Sequence, residues 1–199
     1  MTVLLLSTVV LGIFAGRYLV PALLVPQLAV YAMWLLLAVL LGIGIELGAS
    51  TSLLERLKRM RPSSLLLPVT SALGSLLGVT LGAMLLGVTI PVGLSIGAGF
   101  GWYSLSSVLL SEVAGAEIAA VAFLTNVVRE LIAIPIIPLL SRLKFGLAAI
   151  TPGGATTMDT TLAIISRVTN EETTLVAFYH GIVLSLLVPV LVTFFARMI

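Results

Sequence analysis

The sequence predicts an all-α polytopic membrane protein of about seven transmembrane segments, one of them discontinuous or re-entrant near residues 150–168. Composition points there first. The 199 residues are 60% hydrophobic and only 9% charged, with a mean hydropathy of +1.26, whereas soluble domains carry about 25% charged residues. Apolar runs recur along the whole chain at close to the roughly 20 helical residues that a hydrocarbon core of about 30 Å requires. Helix breakers then interrupt one of those runs at the depth where a continuous span belongs.

Met1 to Phe14 lacks a basic leading region and a small-residue cleavage pattern before Arg17, so it reads as a first span, Val3 to Tyr18, rather than as a cleaved leader. The following spans are Tyr31 to Gly48, Ser64 to Leu86, Val92 to Leu110, Ile118 to Leu140, Ile150 to Val168 and Thr174 to Ala196. Pro62 and the Gly87-Val88-Thr89-Ile90-Pro91 junction fit tight inter-helix turns. With no linker or low-complexity tract, the chain reads as one transmembrane domain: two spans to residue 48, a basic loop over 49–62 and a five-span portion over 63–199.

The run Glu55-Arg56-Leu57-Lys58-Arg59-Met60-Arg61 is the strongly basic connection, which the positive-inside rule assigns to the cytoplasm together with the N-terminus. Seven spans would leave the C-terminus outside, and a re-entrant Ile150 segment would flip the last span. The net charge of +2 and pI near 9.3 reflect that loop and give no support to nucleic-acid binding. Cysteine is absent and there is one histidine, so no ligand spacing for a metal exists and no cofactor is expected.

Charges within spans are the most informative residues, because each costs about 2.5 to 3.5 kcal/mol at the bilayer centre and needs a partner or water. Asn126, Arg129 and Glu130 fall toward one helical face, which must point into the bundle. Arg129 can lock packing by pairing with a carboxylate on another helix, or serve function. Asp159 lies in Thr151-Pro152-Gly153-Gly154-Ala155-Thr156-Thr157-Met158-Asp159-Thr160-Thr161 with no basic neighbour within a turn, so it needs a proton or a cation. It is the first candidate for a substrate or coupling carboxylate. Unwound backbone at Gly154, with the hydroxyls of Thr156 and Thr157, suits a binding loop, although an extramembrane turn before a short amphipathic helix would use the same residues.

Glu112 follows a polar, glycine-rich stretch from Gly99 to Ser107 that includes Trp102, Tyr103 and Ser104. Small-residue helix packing explains that stretch as well as a polar site does, and Trp102 and Tyr103 suit interface anchors. Glu117 and Glu46 fit solvated span ends. His180 can relay protons or simply bridge helices. Catalysis has little support for want of a placed catalytic pair, and a channel is disfavoured for want of a repeated polar ring.

Three segments together resemble the LysO lysine-exporter family: Ser95-Ile96-Gly97-Ala98-Gly99-Phe100-Gly101-Trp102-Tyr103-Ser104-Leu105-Ser106, Asn126-Val127-Val128-Arg129-Glu130-Leu131-Ile132-Ala133-Ile134, and Gly154-Ala155-Thr156-Thr157-Met158-Asp159-Thr160-Thr161-Leu162. A fourth, His180 to Pro189, extends the likeness to the C-terminus. The resemblance implies a secondary active exporter of L-lysine or a related cationic amino acid in the cell membrane, driven by an H+ or Na+ gradient. Longer members carry additional N-terminal spans, so this chain resembles their C-terminal portion. The remainder would come from a small membrane subunit or from homo-oligomerisation, and a non-transporting membrane subunit is the alternative role. In such a carrier inverted repeats would cross at broken helices, Asp159 and Glu130 would neutralise the substrate ammonium groups, and backbone N–H groups near Gly154 to Thr156 would receive its carboxylate.

Overall fold

The computed structural model describes residues 62–199 continuously, together with scattered positions between residues 11 and 45. The chain divides into two compact units, Met1–Ser50 and Thr51–Ile199. In the first, residues 14–18 are helical, with Phe14 stacked on Tyr18, and further helical positions lie between 25 and 45. The first ten residues, Glu46, Gly48 and the basic run from Glu55 to Arg61 lie outside the described residues.

The second unit is helical throughout, with no strand among the described residues: α1 Pro62–Leu65, α2 Leu67–Leu86, α3 Ile90–Gly97, α4 Tyr103–Val113, α5 Ala116–Arg142, a 3-10 segment Gly146–Met158, α6 Leu162–Val168 and α7 Glu171–Ala196. Local chemistry sets several boundaries. Pro68 opens α2, and Gly87 closes it in the left-handed conformation (φ 68°) that lets the chain leave a helix. The Asn170 side chain caps α7 by accepting from the Thr173 N–H at 2.8 Å, and Glu171 and Glu172 occupy its first turn, where the helix dipole favours acids. Pro135, Pro138 and Pro189 sit inside α5 and α7. Only α2, α5 and α7 are long and apolar enough to cross a membrane among the described residues.

Of the two expected spans that remain, Val92 to Leu110 is corrected and Ile150 to Val168 is broken as expected. Val92 to Leu110 is not one helix: α3 and α4 are separated at residues 98–102, where Phe100 and Gly101 take positive φ of 46° and 97°. The chain then doubles back. Gly93 packs on Ala83 and Gly97 on Val79, so α3 runs antiparallel to α2, and α4 enters α5 through the two-residue turn Ala114-Gly115. Residues 90–113 therefore form a helical hairpin that begins and ends at one end of the bundle.

Residues 146–168 do the same from the opposite end. The Ser141 hydroxyl at the close of α5 donates to the Val168 carbonyl at the close of α6, at 2.7 Å. Ser64, Ser141, Lys144, Gly146, Thr169 and Glu172 line one cavity of about 400 Å³. Helix α1, the end of α5, the base of this hairpin and the start of α7 thus share one end. The segment expected to be discontinuous or re-entrant is broken into a hairpin whose two ends lie together. Ala133 and Ile137 of α5, Ile150 and Ile165 of the hairpin, and Val176 and Ala177 of α7 form the buried apolar cluster that holds it.

Candidate functional site

The two hairpins meet at their tips. Ala155 N–H donates to the Phe100 carbonyl at 2.8 Å, and the Gly101 backbone lies against the Gly153 carbonyl and Thr156. Gly154 makes this crossing possible. Its φ of 61° and ψ of −132° suit glycine alone, and a β-carbon there would run into the Phe100 carbonyl.

Each tip is held by a polar side chain from the long helix that follows it. Asn126 on α5 accepts from Gly101 N–H at 2.7 Å and donates from Nδ2 to the Ile96 and Ala122 carbonyls at 3.2 and 2.9 Å, with the Ser106 hydroxyl at 3.4 Å. Backbone groups freed by the break between α3 and α4 are thereby satisfied, as groups buried away from water must be. His180 on α7 stands 3.0 Å from the Thr157 hydroxyl through Nδ1. That hydroxyl also lies 2.8 Å from the Gly154 carbonyl, to which it donates. Nε2 is buried with no partner. Thr156 bridges the turn by donating to the Gly153 carbonyl and contacting the Thr161 hydroxyl at 2.8 and 3.1 Å.

On the descending side of the second tip the acids come together. Glu130 is 6% exposed, lies beside Thr160 and is within electrostatic reach of Asp159. Asp159 is exposed in the turn between the 3-10 segment and α6 and accepts from the Thr160 N–H. Tyr103, at the start of α4, lies in the field of both acids. The Thr160 hydroxyl is buried and lies within the reach of both carboxylates. No cation among the described residues forms an ion pair with either acid.

Arg129, one residue before Glu130, points elsewhere. Its Nε donates to the Pro152 carbonyl at 3.3 Å and its Nη1 to the Ser75 hydroxyl at 2.8 Å. The carboxylate pairing expected as its packing role is absent among the described residues.

Of the expected site residues, Asn126, Gly154, Thr156, Thr157 and His180 build the tips, while Tyr103, Glu130 and Asp159 form the acidic group. Ser104 is half-buried one residue beyond Tyr103. Glu112 is exposed near the end of α4, at the base of the first hairpin, and Glu117 lies in the first turn of α5, so neither is drawn to the tips. The expected carboxylate cradle of backbone N–H groups is partly spent, because Ala155 donates to Phe100. Sequence reasoning missed Ser75, Ser106 and Thr160; a run of hydroxyls at a break could have flagged the last two, whereas nothing local marks Ser75.

The family described as Lysine exporter LysO matches residues 6–196. One relative, "Lysine exporter LysO" of Escherichia coli, is 38% identical over 161 residues, which is 81% of this chain and 53% of that protein. Another, "Putative lysine exporter" of Haemophilus influenzae, is 35% identical over 193 residues, 96% of each chain. The chain thus spans about half the length of the first relative and nearly all of the second. No solved structure matches. The chain belongs to the lysine exporter LysO family, a family of transporters and not of enzymes.

Proposed function

We propose that this chain exports L-lysine, or a closely related cationic amino acid, as a secondary active carrier of the cell membrane, and that Asp159 and Glu130 receive the substrate's ammonium groups. The observation that carries the reading is the pair of acids that has no cation partner among the described residues, set where the two hairpins meet. Carboxylates at such depth need compensating charge, and a substrate with an extra ammonium group supplies it. The names of both relatives agree with that cargo.

Two hairpins opening to opposite ends, each followed by a long helix, suit an inverted repeat that alternates access around a fixed site. Arg142, Lys144 and Arg167 gather at the end from which the second hairpin enters, the same end that the basic run before Pro62 adjoins in sequence, whereas Arg197 lies at the other. The positive-inside rule then makes that end cytoplasmic, with the N-terminus inside as well. The first hairpin opens outward. Protonation of Asp159 from outside would remove the attracting charge and release the cargo, and return of that proton inward would drive export; a sodium ion at the same carboxylate would serve equally.

A second reading rests on the half-length match to the Escherichia coli relative: a half-transporter that works as a homo-oligomer or with a small membrane subunit. Uptake of radiolabelled lysine into inverted vesicles containing this chain, with an imposed proton or sodium gradient, tests both. Gradient-dependent uptake that Asp159→Asn abolishes, with folded protein retained, is the expected result. Unchanged uptake by the variant would overturn the role of Asp159, and silent wild-type vesicles holding folded protein would favour the half-transporter.

A further inference from the structure

We infer that Arg129 and the hydroxyls around it form an anion subsite that takes the substrate's α-carboxylate. The inference rests on the lysine-export reading and adds the second half of the recognition. A guanidinium has five N–H donors. Arg129 commits Nε to the Pro152 carbonyl and one Nη1 hydrogen to Ser75, both neutral acceptors, which leaves three donors and a full positive charge.

Arg129 borders a cavity of about 670 Å³ between α2, α5 and the rising limb of the second hairpin, with no Asp or Glu in its wall among the described residues. Its polar lining is hydroxyls. Thr70 and Thr151 spend their protons on the Leu67 and Ala148 carbonyls at 3.0 and 2.9 Å. Ser75 accepts from Arg129 and keeps its own proton free, and Ser71 and Thr125 also face the cavity. Among the described residues, a cation with unspent hydroxyl donors beside it and no acid in the wall is a donor set for a carboxylate, and a guanidinium receives one through two parallel bonds.

Placement supports the same ligand. Arg129 Nη2 lies 3.2 Å from where a β-carbon on Gly154 would stand, so the guanidinium rests on the unwound tip. Glu130, the next residue, belongs to the acid group at the other side of that hairpin. Cation and acids thus flank one re-entrant loop, and a diamino acid carries the complementary charges. Movement of the loop would change both contacts together, which couples recognition of the whole amino acid to gating.

The test is competition against radiolabelled lysine on the full chain in lipid nanodiscs, using unlabelled lysine, lysinamide and 1,5-diaminopentane. The last keeps both ammonium groups and lacks the carboxylate. Wild type is expected to favour lysine over both analogues by about tenfold or more, the range of a charge-assisted hydrogen bond. Arg129→Gln should bring lysine down to the level of the diamine and leave the diamine unchanged. Ser71→Ala with Thr125→Val should weaken lysine alone, and provides the check if the arginine variant fails to fold. A wild type that binds the diamine as well as lysine overturns the subsite and leaves lysine export standing, as does an Arg129→Gln protein that still prefers lysine. Wild type that binds no lysine removes both.

Discussion

Asn126 and His180 do the same physical work with different chemistry. Each buries a polar group against a broken helix and satisfies backbone or hydroxyl groups that the break would otherwise leave bare. Asn126 carries more of that duty, serving a backbone N–H and two carbonyls. Asn126→Leu should therefore cost about 1 to 3 kcal/mol, read as a lowered thermal unfolding midpoint in detergent, whereas Thr157→Val, which removes one hydroxyl, should cost less. Equal shifts would mean that the Asn126 network is not holding the first tip. The acids and Asn126 were readable in the sequence because their presence in apolar runs demands an explanation. The partner of Arg129 was not: Ser75 is an ordinary residue in a helix 54 positions away, and only the packing of α2 on the second hairpin brings it there.

At the level of the elements, glycine placement decides where a hairpin can turn. Gly154 and Gly101 both adopt positive φ, but a β-carbon at Gly154 would collide with the Phe100 carbonyl and one at Gly101 would rest 3.4 Å from the Gly153 carbonyl, ordinary contact. Gly154→Ala should thus reduce the yield of folded, monodisperse protein much more than Gly101→Ala. Comparable yields would contradict the tip-to-tip crossing. The break in residues 150–168 was legible because Pro152, Gly153 and Gly154 interrupt the run together. The break at residues 98–102 was not, since Gly97, Gly99 and Gly101 equally suit close packing of a continuous helix. Nor could hydropathy distinguish a crossing from a hairpin, because both bury an apolar run of similar length.

For the second unit taken entire, the order hairpin then long helix occurs twice. Asn126 and His180, Phe100 and Gly154, and Pro135 and Pro189 each stand 54 residues apart. Phe100 and Gly154 also touch, as equivalent residues do on a two-fold axis. α5 and α7 run in opposite directions, so the relation is inverted. The chemistry does not share this symmetry: the counterparts of Glu130 and Asp159 are Leu184 and Leu105. A symmetric frame with one set of acids is the arrangement that the proposed alternating access around one site requires.

The re-entry of both hairpins from opposite faces is what the whole account depends on, and the absence of cysteine makes it directly measurable. Single cysteines at Val88, Ala114, Lys144 and Asn170 would be labelled with a membrane-impermeant thiol reagent in intact cells and in inverted vesicles. Lys144→Cys and Asn170→Cys are expected to react from the cytoplasmic face, and Val88→Cys and Ala114→Cys from the outer face. Labelling of Lys144→Cys and Asn170→Cys from opposite faces would make residues 146–168 a full crossing and contradict the re-entry.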